Sequence, residues 1–292
     1  VRTMNMERLI ENGKEENFSR KHGEVRFTLQ FQNILEEETE YVLALTVKYS
    51  GKQAFYYTRI AREQKYYVAE SLDFVSRFHE QTFEKENSDS LATYLEPDQM
   101  GDNTTLQKVT IHSSLRQVNW ADFEGERLEP PVLSIKEMGD SYNAIVLQYV
   151  LTSTGDNGEV EYYNVEEYYR VRYDQAIGRM YLLNYERTMN QIFRGENGTV
   201  NKNRLMLGIR SADVEYSANE KGNIIAFVQE GELWSYNSDN NHLSQIYSFR
   251  SPEGISEREN HSGHQIRIMK IDETGSMDFV VYGYMNRGNH EG

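Results

Sequence analysis

The chain has 292 residues, 31 Lys and Arg against 46 Asp and Glu, a formal net charge of −15, and no cysteine. Nucleic acid and anionic lipid both require a basic face, so this balance argues against either as a partner. Disulfides, thiolate metal sites and a cysteine nucleophile are excluded outright.

The length allows two domains, each able to bury a core. A cysteine-free, tyrosine-rich composition (21 Tyr) fits a bacterial protein in an extracytoplasmic or cell-surface setting. No signal peptide or spanning segment is visible. Val1 is not an initiator, and the expectation is that the natural start, with a membrane anchor, lies upstream.

In chain order, residues 1–23 are polar, with one weak helical pattern over Met4–Ile10, and read as a linker or frayed helix. Residues 24–65 form a β-hairpin region, read as the possible end of an upstream domain. In it Val25, Phe27, Leu29 and Phe31 alternate with polar neighbours, and Tyr41–Tyr49 pairs with Gln53–Ile60 across Ser50-Gly51-Lys52. Ser71 is a candidate N-cap for a helix whose apolar stripe is Leu72, Val75 and Phe78 with Phe74 and Phe83. A shorter helical piece follows Ser88 and stops at Pro97.

Asn143–Ser153, Glu159–Tyr173 and Arg179–Phe193 are three long alternating runs. They are joined by Gly155-Asp156-Asn157-Gly158, whose Asn-Gly step suits a type I′ turn, and by a short loop from Asp174 to Gly178. Such a meander, following a helix, calls for a curved sheet wrapped over that helix. The expected fold class is α+β: a cone-like domain over 66–195, one helix on a curved antiparallel sheet, followed by an all-β segment over 196–292.

That last segment repeats itself. Val214–Phe227 carries a strand, a polar turn with glycine and a second strand, and the order returns in Met269–Val281. Between them lie the Glu230-Gly231 turn, the strand Glu232–Tyr236, a turn through Asp239 and Asn240, and Leu243–Phe249. One and a half repeats cannot cover their own faces. The expectation is a fragment of a longer protein, with Ile224, Ala226, Val280 and Tyr282 docked on the meander or engaged in self-association through the cut repeat edge.

The helix Leu72–Phe78, the segment Leu91–Asp98 and the meander from Asn143 to Phe193 together resemble the cone-shaped domain of the nuclear-transport-factor-like superfamily, which includes SnoaL-like proteins. The closing repeats resemble blades of an extracytoplasmic β-propeller of the TolB or WD-repeat type, with Leu233–Tyr236 as a middle strand. The first resemblance implies a helix-on-sheet interior that in some members holds an acid–base pocket.

Chemical motifs are few. His79-Glu80 begins like a zinc-protease helix, but Phe83 stands where the second histidine belongs, so a solvated helix flank is the better reading. His261 and His264 have the spacing to share a metal but lack further ligands. Asn237, Asp239, Asn240 and Asn241 offer oxygens without the glycine and glutamate of a calcium loop. Gly-x-Ser-x-Gly is absent, Gly275-Ser276 is a repeat turn, and Gly195-Glu196-Asn197-Gly198 lacks the Lys-Ser/Thr of a phosphate loop. No catalytic residue, metal site or cofactor is assigned.

Tyr162, Tyr163, Tyr168, Tyr169 and Tyr173 occupy both faces of one strand, so some rings lie outside the core. They read either as an aromatic surface for a protein, peptide or glycan, or as ordinary strand tyrosines with wet hydroxyls. Three functions are compatible with these features. The first is a non-enzymatic binding or scaffold segment of an anchored bacterial surface protein. The second is an enzyme with Asp73 or His79 facing Tyr149 or Glu167 in the cone. The third is an extracytoplasmic sensor.

Overall fold

The computed structural model describes residues 1–14, 18–21, 24–32, 34–62, 66–85, 88–98, 103–155, 158–194, 200–201, 204–205, 214–250, 261 and 263–285. The turn residues Asp156 and Asn157, the glycine loop Gly195–Gly198 and Ser262 lie outside them. Contacts divide the chain into two compact units, Val1–Lys65 with Met285–Gly292, and Tyr66–Tyr284.

The first unit holds β1 (Arg2–Thr3), β2 (Ser19–Lys21), β3 (Glu24–Arg26), β4 (Glu40–Tyr49) and β5 (Lys52–Ala61). β4 and β5 pair from Glu40↔Ala61 to Tyr49↔Lys52. Their two-residue turn has positive φ at both Ser50 (48°) and Gly51 (77°), the type I′ geometry that matches the twist of a hairpin. The N-terminal segment is not helical: Arg2 and Thr3 pair with Val42 and Tyr41, and the Val1 ammonium donates to the Glu11 carbonyl at 2.7 Å. A seven-residue helical pattern is too short to hold itself in water, and Met4–Ile10 instead turn back on Val1–Thr3, where the Arg8 and Val1 carbonyls take the Thr3 and Ile10 N–H groups. Among the described hydrophobic residues of this unit only Val1 and Tyr41 are buried, while Phe18, Phe27, Phe31 and Val47 are exposed.

The second unit opens with α1 (Val68–Phe83), a 3-10 helix (Asp89–Tyr94), β6 (Lys108–Thr110), α2 (Leu115–Val118), β7 (Glu126–Arg127) and β8 (Val132–Glu137). The long strands β9 (Asn143–Thr154), β10 (Val160–Asp174) and β11 (Arg179–Gln191) follow. They form a six-stranded sheet of order β6-β11-β10-β9-β7, with β8 also on β9. Ser71, Phe74, Val75, Phe78, His79 and Thr82 are the buried residues of α1, spaced three and four apart on one face. That face packs on alternate residues of the sheet, with Leu147, Tyr169, Val171 and Tyr185 in the same core. Ser71 sits inside the first turn rather than at the N-cap, which is Tyr67; its hydroxyl donates to the Tyr67 carbonyl at 2.9 Å.

Beyond the short hairpin β12 (Val200–Asn201) and β13 (Arg204–Leu205) lie β14 (Tyr216–Ala218), β15 (Ile224–Gln229), β16 (Glu232–Asn237) and β17 (His242–Tyr247). These four make one antiparallel sheet in sequence order. The hairpin of β18 (His264–Ile271) and β19 (Met277–Gly283) packs on one face of it, where Ile224, Ala226 and Leu233 meet Ile266 and Ile271. On the other face Phe227 and Trp234 pack against Phe193, just past the end of β11. Ile224 and Ala226 are therefore covered, whereas Val280 (48% exposed) and Tyr282 (43%) are not.

The expected α+β class is overturned. The described residues are mostly β, with 49% in strand, 11% in helix and three short helices, and their strands are spread over several small sheets. A cone built around one packed helix describes neither the strand content nor its distribution. The helical signal is strong but local, confined to the 16 residues of α1, whereas strands make up about half of the described residues.

Candidate functional site

Two sets of side chains stand out, one sealed beneath α1 and one on the outer face of the same sheet. The sealed set centres on Glu167 of β10, fully buried, with His79 of α1 beside it at 1% exposure. Along β10 the buried residues are Tyr163, Val165, Glu167, Tyr169 and Val171, so strand alternation alone turns Glu167 inward. His79 reaches it because it belongs to the helix stripe Val75–Phe78–His79–Thr82.

The Nδ1 of His79 lies 3.0 Å from Glu167 Oε2. Tyr149 donates its hydroxyl to Oε1 at 2.6 Å and Tyr169 to Oε2 at 2.5 Å. Arg127 donates to His79 Nε2 at 3.0 Å, which assigns the imidazole proton to Nδ1, where it bonds the carboxylate. The same guanidinium grips Glu80 with two bonds of 2.5 and 2.8 Å and lies 5.0 Å above the Phe83 ring. Opposite Glu167 in the strand register is Arg187, also fully buried. It donates to the Val118 and Gln117 carbonyls at 2.8 and 2.7 Å and stacks 3.5 Å from the Trp120 ring centre.

Burial pushes the Glu167 carboxyl up, but His79, Arg187 and the Tyr149 hydroxyl outweigh it and bring the group down to about 2. Burial, reinforced by the Glu167 charge, raises the hydroxyls of Tyr149 and Tyr169 well above their ordinary range. Glu80 is lowered by its hydrogen bonds from Arg127. A cleft of about 670 Å³ opens nearby, with Phe83, Lys85, Phe123, Glu124 and Glu126 in its wall, but neither His79 nor Glu167 lines it. The aromatic wall of Phe83 and Trp120, 5.1 Å apart, stands beside the network.

The structure thus brings together His79, Tyr149 and Glu167, three of the four groups named for an acid–base pocket. The fourth, Asp73, is exposed and paired with Arg77 at 2.9 Å. His79 is no solvated flank residue, though Glu80 is half-exposed as that reading required.

The five tyrosines separate by strand parity. Tyr163 and Tyr169 are buried in the interior, and Tyr173 packs on the core and lies 4.8 Å from Tyr67. Tyr162 and Tyr168 face outward and are half-buried. The outer pair belongs to a larger arrangement that includes arginines the sequence reading passed over. Arg170 lies 4.6 Å above Tyr142 and donates from Nε to the Tyr168 hydroxyl at 3.3 Å. Arg172 and Arg179 lie 5.4 and 5.3 Å from the Tyr181 ring centre, and Arg194 lies 3.8 Å from that of Tyr162. Arg170, Arg172 and Arg179 have no carboxylate within ion-pair distance among the described residues. The signal for this face was present in the alternation Tyr168, Arg170, Arg172 on one side of β10.

The remaining candidates resolve into turn and packing chemistry. His261 meets Tyr284 edge to face, while His264 bonds the Gly231 carbonyl at 2.7 Å and packs at a tilt on Phe249. Among the described residues no cluster of three His, Asp or Glu is arranged to hold a metal. Asn237 accepts from the Asp239 N–H at 2.9 Å, and Asn241 accepts from the Tyr236 hydroxyl at 2.8 Å. Ser276 gives its N–H to Asp272, which caps the repeat turn. No helix among the described residues is long and apolar enough to cross a membrane.

Protein-family models, curated proteins and solved structures give no match to this chain.

Proposed function

We propose that the chain is a non-enzymatic binding and scaffold module of an extracytoplasmic bacterial protein, and that it engages its ligand through the tyrosine–arginine face of the six-stranded sheet. The observation that carries this reading is three arginines held over tyrosine rings with no carboxylate within ion-pair distance among the described residues, in a chain that has acid to spare. Tyrosine and arginine are the residues that dominate binding hot spots, and a stacked guanidinium offers its N–H edge to an anion or acceptor. The acid–base alternative has its groups assembled, but both nitrogens of His79 are occupied, by Glu167 and Arg127, so none is left to meet a substrate. The lack of cysteine supports the extracytoplasmic setting. The exposed outer side of β19, with Val280 and Tyr282, supports self-association as a secondary property.

Peptide and glycan arrays probed with the full chain test the reading. Binding should be lost on changing Arg170, Arg172 and Arg179 to Gln, with an unchanged melting curve. Turnover of any array compound that depends on His79 in a folded variant would replace this proposal with the enzymatic one.

A further inference from the structure

We infer that the ligand of this face is an extended acidic polypeptide segment, added as a strand to the open edge of β11 with its carboxylates on Arg172 and Arg179. The inference rests on the binding reading above and names the ligand. Along one side β11 pairs with β10 from Asp174↔Arg179 to Tyr163↔Gln191. On its other side it pairs with β6 at Glu186–Thr188 only, and the Tyr185 carbonyl accepts from the Ile111 N–H at 2.8 Å. Over Arg179–Asn184 no strand lies on that side among the described residues. A strand edge of this kind is a template for an incoming chain.

Charge selects which chain. Outward residues on an added strand would stand about 5 Å from their neighbours on β11. That brings them within reach of the two guanidinium groups stacked on Tyr181, which present forks suited to carboxylates. Asp174 of β10 stands opposite Arg179 in the register, yet it accepts the Ala176 N–H at 3.0 Å and lies outside ion-pair distance of Arg179. Outward residues of an extended chain recur every second position, about 6.8 Å apart, so alternating acidic residues keep their charges on the arginine side. An anionic polysaccharide would satisfy the arginines but has no amides to pair with the edge.

The test is fluorescence anisotropy of the full chain with a labelled peptide of alternating Glu and Val. Controls are the same peptide N-methylated at alternate amides and a soluble polyuronate. Binding of the parent peptide is expected, weakened at least about tenfold, or about 1.4 kcal/mol, by the double change Arg172→Gln and Arg179→Gln. N-methylation should cost as much, and added salt should weaken binding further. Equal binding of the N-methylated and parent peptides, or indifference to the arginine changes, would overturn strand addition. Arginine-dependent binding of the polyuronate without the peptide would overturn this inference and leave the binding reading standing; failure of both anions would remove both.

Discussion

Glu167 and Arg187 stand opposite each other in the β10–β11 register, both fully buried, and neither can lose its neighbour cheaply. Removing one member of a buried charged set leaves the other uncompensated, at a cost of about 3–5 kcal/mol. Glu167→Ala and Arg187→Met should each lower the urea-unfolding free energy by that amount. Tyr149→Phe removes one hydroxyl donor from the charged carboxylate and should cost about 1.5–3 kcal/mol. Arg127→Ala should cost about 1–3 kcal/mol: its pair with half-exposed Glu80 is screened, but buried His79 Nε2 loses its donor. Acid brings a second expectation. Glu167 has its folded pKa at about 2, below the ordinary carboxylate value of 4.5 that it has in the unfolded chain, so below pH 4.5 the unfolded chain binds the extra proton. The associated stability, on the order of 3 kcal/mol, is present in full above that pH and declines as pH falls toward 2. In Glu167→Gln that part of the acid dependence should vanish; an unchanged acid-unfolding curve would show that Glu167 is not the responsible group.

At the scale of elements, the β14–β17 sheet and the β18–β19 hairpin share one core, so damage to one should be felt in the other. Leu233→Ala, at a fully buried position among Ile224, Ala226, Ile266 and Ile271, should cost about 2–5 kcal/mol. It should speed amide exchange in β18 as well as β16; protection lost in β16 alone would mean that the two elements unfold independently. How much of this was legible depends on range. Alternation along β10 places Glu167 inward, whereas β9 is buried on both faces and an irregularity at Leu183 resets the parity of β11 before Arg187 turns inward. The stripe Ser71–Phe74–Val75–Phe78–His79–Thr82 was equally readable, but His79 was judged by its neighbour Glu80 rather than by its spacing from Val75. What no local pattern contains is register: only the pairing of Glu167 with Arg187, and the packing of α1 across it, turn three isolated polar residues into a network. The outer arginines escaped notice for the opposite reason, since exposed Arg is ordinary until its tyrosine partners on neighbouring strands are known. The weak N-terminal helical pattern is too short to hold a helix, and Met4–Ile10 fold back on Val1–Thr3 instead.

For the molecule as a whole, stability should be unevenly shared. The four buried apolar clusters among the described residues belong to the unit Tyr66–Tyr284, whereas the described residues of the other unit bury little more than Val1 and Tyr41. Amides of β4 and β5 should therefore exchange through openings of lower free energy than those of β9–β11; equal protection in both units would contradict this. The proton on His79 offers a matching measure from inside the larger unit. It is held between an imidazole and a carboxylate that solvent does not touch, with the second ring nitrogen occupied by Arg127. A ring N–H is ordinarily lost to water too fast to observe, but this one has no path out while α1 lies on the sheet. It should give a resolved, far-downfield proton resonance that persists in water, and its lifetime in heavy water then times the lifting of α1 from β10.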